Sequence, residues 1–289
     1  MEISILLAEQ IIAMFLTMAV GFGVVRAGLF KTEDSRIISN MVVYICNPCV
    51  VVHSFQIELT DDKIKGLMIA IGLSVVVHMV LIIGSEILSF IFHFNSIEKA
   101  SIIYTNAGYL VIPLVGAVLG EEWVFYTTAF ILVQTVLMWT HGVKLIGQEK
   151  ELNIRKILCN PNVIAMIIGI ALFALEIRLP TVVDSCVSGF GDMISPASMM
   201  VIGMVIGDVD LKWVFRQKRP YLICLLRLIV FPLIAVVAFA GLERSGIHTD
   251  AEYILMIVLI ATSAPAAAMI TQLAQIYGKD SRYASVINV

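Results

Sequence analysis

Apolar residues run along this chain in blocks of about 20, cut by short polar segments, and a block of that length is what a helix needs to cross a bilayer. The blocks predict spans at 4–26, 36–56, 65–92, 99–119, 123–146, 161–180, 187–207, 218–241 and 251–276. A tenth begins near Ser281 and reaches only Val289, which predicts a chain cut inside its last helix. The first block, MEISILLAEQIIAMFLTMAV, has an acidic head and is followed by no small-residue cleavage site. It reads as a membrane helix rather than a signal peptide. The expected fold is an all-α polytopic membrane protein.

Composition agrees. Of 289 residues, 60% are hydrophobic and 14% charged, with a mean hydropathy of +0.96. A water-soluble domain runs near ~45–50% apolar and ~25% charged. The net charge of −3 points away from nucleic acid. Lys and Arg set the orientation. Fourteen of the 19 fall in the loops after spans 1, 3, 5, 7 and 9, and four (Lys63, Lys65, Arg178, Arg244) in the others. The odd-numbered loops are therefore expected in the cytoplasm and the N-terminus outside, in a multi-pass protein of the cell (inner) membrane.

Span 2 contains VYICNPCVVV, with Cys46 and Cys49 spaced as a CxxC pair. A thioredoxin-like CxxC opens a helix beside a sheet, and no sheet pattern exists here. Cys159, Cys186 and Cys224 are scattered and supply no second pair for zinc, so the cysteines read as small packing residues. The residues between the pair carry more information. Pro48 removes a backbone donor, and in lipid the freed carbonyls need partners inside the protein. Asn47 is placed to supply one.

Proline recurs as Pro113 in span 4, Pro196 in span 7, Pro232 in span 8 and Pro265 in span 9. Pro48 and Pro196 lie five spans apart, and so do Pro113 and Pro265. An odd number of crossings inverts the second copy, which is the mark of an inverted repeat with interrupted helices at matching places. Two halves are expected, 1–150 with spans 1–5 and 151–289 with spans 6–9 and the start of span 10. Pro161 falls in the first turn of span 6, where it does no harm.

A helix interrupted at mid-membrane presents free N–H groups at the start of its second half, a neutral site for anions. In YTNAGYLVIPLVGAV, Asn106, Gly108 and Tyr109 precede a second half beginning near Pro113. In LIATSAPAAAMITQLA, Ser263 and small alanines surround Pro265, and small residues let helices cross closely. Ser195 and Pro196 occupy the matching place in span 7. Asp192, one turn before Pro196, and Arg227, about two turns into span 8, are candidates for coupling, since charge in a span is costly. Asp192 also fits a place near the outer interface, in water. Arg227 can instead snorkel or pair with a carbonyl or carboxylate. Glu86 reads as solvated near the cytoplasmic interface. His78, alone in the middle of span 3, reads as a hydrogen-bonded packing residue. No metal spacing or cofactor motif is evident.

The pieces NMVVYICNPCVV, TNAGYLVIPLVGAVLGEEWVF, NPNVIAMIIGIAL, ISPASMMVIGMVIGD, RLIVFPL and SAPAAAMITQLAQIYGKDSRYAS together resemble the auxin efflux carrier family in its short bacterial form. That resemblance implies ten helices in two inverted five-helix halves, a scaffold and a transport domain, and helices 4 and 9 crossing at their prolines, as in bile acid symporters. It implies a homodimer and export of small organic acids such as malate or malonate. It maps Asn106, Gly108 and Pro113 to the span-4 crossover, Pro265 to the span-9 crossover, and Asn47 and Pro48 to the span-2 break. The long central loop of the plant carriers is missing, which favours a small bacterial-type carrier over one for auxin.

Other classes fit less well. A sodium-coupled symporter of the bile acid type wants several oxygen ligands and usually a carboxylate, and span 9 has no acid at its crossing. Asn106, Thr127, Thr128 and Gln134 are the available oxygens. An intramembrane enzyme needs paired Asp, a Ser–His pair or HExxH, and none is present. A membrane-embedded sensor would need an output domain.

Overall fold

The computed structural model describes residues 2–56, 61–107, 111–147, 159, 161–242 and 250–288. The described residues are helical throughout, apart from turns and short extended joints, and form no strand. In chain order the helices are α1 Glu2–Arg26, α2 Ser35–Met41, α3 Asn47–Ser54, α4 Asp61–Phe92, α5 Ser96–Ile103, α6 Ile112–Leu119, α7 Glu121–Leu137, α8 Val143–Gly147 and α9 Pro161–Ala174. They continue with α10 Thr181–Asp192, α11 Ile194–Gly207, α12 Leu211–Arg216, α13 Lys218–Leu225, α14 Phe231–Leu242, α15 Ala251–Ser263, α16 Met269–Ile276 and α17 Ser281–Asn288. Three π-helical turns, Val42–Cys46, Met138–Gly142 and Leu226–Val230, join α2 to α3, α7 to α8 and α13 to α14.

Among the described residues, five stretches are long and apolar enough to cross a membrane: Thr32–His53, Ile64–Phe92, Trp123–Gly147, Thr181–Gly207 and Lys218–Phe239. Shorter apolar helices include Ile11–Arg26, Pro161–Ala174 and Ala251–Ser263. Large apolar side chains stand exposed along α1, α4 and α14, among them Leu16, Val20, Val76, Ile83, Phe90 and Val237. Such rows belong against lipid, since a soluble monomer does not show apolar surface on this scale.

Spans 4 and 9 are each in two pieces, as the prolines predict. Span 6 ends earlier than expected, at Ala174 instead of 180. Glu176 takes a left-handed conformation with φ 54°, and Ile177 N–H bonds back to the Leu172 carbonyl at 2.9 Å. That closes the helix, and Pro180 then disfavours helix at the residue before it. Leu179 N–H instead donates to Gln56 Oε1 at 2.8 Å. Span 7 consequently begins at Thr181 rather than 187.

The contacts divide the chain into two compact units, each drawn from both halves of the sequence. One holds Met1–Leu6, Leu59–Thr135 and Lys218–Ala267; the other holds Leu7–Glu58, Val136–Gln217 and Ala268–Val289. In the first, Gly66 faces the Tyr126 ring and Gly84 the Phe231 ring, with no room for a Cβ at either place. In the second, α1 and α11 touch backbone to backbone. A Cβ on Gly203 would collide with the Met18 carbonyl, and one on Gly21 with the Met200 carbonyl. Small residues at a helix crossing are how membrane helices gain close packing.

The second unit also contains the Asn47-Pro48 site. Span 2 is not broken there. It runs on through the π turn Val42–Cys46 into α3. A π turn shifts the pairing to i+5, so the donor the Val43 carbonyl would use belongs to Pro48, which has none. Asn162 Nδ2 takes that carbonyl at 3.0 Å, and Asn47 Nδ2 donates to Asn162 Oδ1 at 2.6 Å. The partner expected from Asn47 thus comes from fully buried Asn162, at the start of α9. Span 7 is interrupted at Met193, and Ser195 and Pro196 lie in the first turn of α11.

Candidate functional site

The first unit contains the point where spans 4 and 9 meet. α5 begins with a capping box in which Asn95 Oδ1 accepts from Glu98 N–H and Glu98 Oε2 accepts from Asn95 N–H, at 2.9 and 2.8 Å. Buried Glu98 also receives two hydrogen bonds from Arg219, at 2.6 and 2.9 Å. The helix ends at Ile103, and the chain turns extended at Tyr104, φ −98° and ψ 132°. α15 ends at Ser263, and Ala264 is extended too. The two extended pieces pair antiparallel. Ala267 N–H donates to the Tyr104 carbonyl at 3.0 Å and Asn106 N–H to the Pro265 carbonyl at 2.8 Å, forming an isolated bridge between Thr105 and Ala266.

Two side chains complete this joint. Gln134, on α7, reads both faces of Thr105: its Oε1 accepts from Thr105 N–H at 2.8 Å and Oγ1–H at 3.1 Å, and its Nε2 donates to the Thr105 carbonyl at 2.8 Å. It does what a third strand would do, satisfying the peptide groups that the broken helix gave up. Arg227, in the π turn of span 8, is 1% exposed. It donates to the carbonyls of Ile102 and Thr262 at 2.8 Å each and of Ala264 at 3.1 Å. These are end carbonyls of α5 and α15, where the last turn lacks partners and the helix dipole is negative. The guanidinium is matched to two helix C-termini, and no carboxylate is needed to balance it. Of the readings open for Arg227, the structure shows pairing with carbonyls.

The remaining predicted residues fall as follows. Asn106 is 4% exposed, and its Oδ1 has no hydrogen-bond partner among the described residues. Gly108 and Tyr109 lie outside the described residues. Pro113 is the second residue of α6, but Ala107 and Val111 before it are already π-helical, so the break of span 4 lies at Tyr104–Asn106, upstream of the proline. Pro265 lies in the bridge. The Ser263 hydroxyl donates to the Leu259 carbonyl at 2.8 Å, and the Thr262 hydroxyl to the Val258 carbonyl at 2.7 Å. Gln134, considered as an oxygen ligand for sodium, has its oxygen engaged by Thr105. In the other unit, Asn47 and Pro48 belong to the Asn162 cluster, Ser195 is half-buried and Pro196 exposed, and Asp192 is exposed at the end of α10. Glu86 is paired with Lys99 at 2.7 Å and half-exposed. The five cysteines are all free, and no group of three or more His, Cys, Asp or Glu suited to a metal occurs among the described residues.

Sequence reasoning missed Asn162 and Glu98, and it considered Gln134 only as an available oxygen in a sodium reading that it did not favour. Asn162 sits in NPN at 160–162, a second Asn-Pro beside that of span 2. Gln134 is a lone amide within FILVQTVL. A lone amide in an apolar run is costly unless something polar waits for it, and that signal was readable.

Comparison with curated proteins returns no match. A family model described as membrane transport protein matches residues 6–288, nearly the whole chain. With its interrupted apolar helices and the paired breaks of spans 4 and 9, this chain belongs to that family of membrane transporters, the auxin efflux carriers.

Proposed function

We propose that the chain is a secondary transporter that exports a small organic anion, a mono- or dicarboxylate, by alternating access. The observation that supports this is the joint of spans 4 and 9. Arg227 spends its donors on the carbonyl ends of α5 and α15, so the negative helix ends are neutralised within the protein. What is left for a ligand is the opposite polarity: the start of the second half of span 4, after the break at Tyr104–Asn106, and the side-chain NH2 of Asn106, a neutral donor. A carboxylate fits that set, and a neutral set releases it more readily than a fixed cation would.

On this reading Asn106, Gly108, Tyr109, Pro113, Ser263 and Pro265 serve the substrate, while Asn47 and Pro48, where span 2 runs on, and Ser195 and Pro196, just after the interruption of span 7 at Met193, hold the matching places of spans 2 and 7. The two halves 1–150 and 151–289 are inverted copies. The carrier works as a homodimer in the cell membrane with its N-terminus outside. The breaks at 104–106 and 264–268, in spans five apart, support the inverted repeat. Reconstitution into proteoliposomes with a panel of mono- and dicarboxylates tests the reading: counterflow of at least one carboxylate is expected, and none across the panel would overturn it.

A further inference from the structure

Within the first unit, α4 carries in its middle a buried ionisable side chain that the joint does not explain. His78 is fully buried. Its Nδ1 lies 2.7 Å from the Ser74 carbonyl. A carbonyl only accepts, so Nδ1 carries the proton and Nε2 holds the lone pair. Nε2 is buried and makes no hydrogen bond of good geometry among the described residues. The ring packs on Phe130 with centroids 4.7 Å apart. Phe130 lies one turn before Gln134 on α7, and Arg227 is near enough for its charge to act on the ring.

We propose that His78 is the proton-coupling residue of the carrier, taking a proton on Nε2 together with the carboxylate bound at the joint. This rests on the anion-carrier reading above.

The charges argue for it. A proton on Nε2 puts a second cation near Arg227, whose own charge is already balanced by the three carbonyls. Arg227 holds the three end carbonyls and Gln134 is engaged by Thr105, so an anion that arrives with the proton balances the imidazolium. Linkage then runs both ways: the anion favours the proton as much as the proton favours the anion. The geometry supplies the mechanical link. A new Nε2–H needs an acceptor, and the amide oxygen of Gln134, one turn from Phe130 on α7, is engaged by Thr105 N–H and Oγ1–H. Turning Gln134 towards the ring releases Thr105 and so loosens the joint. The other charged side chains described on the elements packed against α4 lie near helix ends. In the first turn of α5, Glu98 is paired with Arg219 of α13, and Lys99 with Glu86 near the end of α4. On α15, Glu252 lies in the first turn, and α7 brings Phe130, Gln134 and Tyr126.

The experiment uses the reconstituted full chain, malonate as probe, and potassium with valinomycin to hold the membrane potential at zero. Exchange of malonate without a pH gradient tests the carrier reading. With an acid exterior one pH unit below the interior, one proton per malonate dianion drives an accumulation of about tenfold. His78→Asn keeps a donor for the Ser74 carbonyl but cannot take the proton; whatever exchange it keeps should no longer be driven to accumulation by the pH gradient. Exchange without accumulation in the wild type, or accumulation that persists in His78→Asn, overturns the proposal while leaving the carrier reading intact. No exchange of any carboxylate overturns both. Should His78→Asn fail to fold, proton uptake by purified wild type decides. Adding malonate to weakly buffered protein with an indicator dye should remove about one proton per site, and no uptake refutes the proposal.

Discussion

Asn162 answers the proline of span 2: its Oδ1 accepts a 2.6 Å hydrogen bond from Asn47, while its Nδ2 reaches the Val43 carbonyl left without a donor by Pro48. One amide thus satisfies both polar groups that the π turn leaves in an apolar setting. Asn162→Ala removes a donor and an acceptor at once. Leaving buried polar groups unpaired costs about 1–3 kcal/mol each. The variant should melt several degrees below wild type in detergent, whereas Asn162→Asp, which loses only the donor, should fall between. A melting curve for Asn162→Ala that overlays the wild type would show that water or lipid replaces the amide.

Arg227 should behave as a clamp rather than a ligand. Arg227→Lys keeps a charge but presents a compact ammonium that cannot span three carbonyls. Arg227→Met removes the donors altogether. Both should lower thermal stability, Met the more, and both should reduce the maximal transport rate with little change in substrate KM. A raised KM in a protein of normal stability would mean that the guanidinium meets the substrate.

For Asn106 the two readings part cleanly. A hydrogen bond to a charged group is worth about 1.5–3 kcal/mol, so loss of one should weaken substrate affinity by roughly one to two decades. Asn106→Ala is therefore expected to fold with near-normal melting temperature and bind a carboxylate more weakly. The opposite pattern, poor stability with normal Kd, would make Asn106 a caretaker of the broken backbone.

Gly203 tests the packing of α1 on α11. A Cβ there meets the Met18 backbone, which cannot swing aside as a side chain could. Overpacking of this kind costs about 1–3 kcal/mol. Gly203→Val should reduce the yield of folded protein and its melting temperature. Gly189→Ala, at a glycine with open space around it, serves as the control and should be silent.

Sodium should not be required. Among the described residues the joint holds no carboxylate, and Gln134, the best-placed amide oxygen, is committed to Thr105. Uptake should survive replacement of sodium by potassium or choline at constant pH. Abolished uptake in sodium-free buffer would point instead to a cation held by the buried oxygens of Asn106 and Thr127.

Much of this protein was legible in its residues alone. The apolar blocks marked the membrane helices, because only an unbroken run of apolar side chains can face lipid for that length. Pro265 marked the break of span 9, because proline cannot supply the donor a continuing helix requires; the break of span 4 came at Tyr104–Asn106, before Pro113 rather than at it. At Pro48 the same rule misled: a π turn and an amide from a distant helix absorbed the missing donor, so the helix ran on. Local sequence could not reveal that, since Asn47 and Asn162 are far apart along the chain. The same limit applied at the joint. That Arg227 would find the carbonyls of Ile102, Thr262 and Ala264, and Gln134 both peptide groups of Thr105, depended on which helix faces came together. Periodicity says that a helix has a buried face; only packing decides which unpaired carbonyl waits opposite each buried donor.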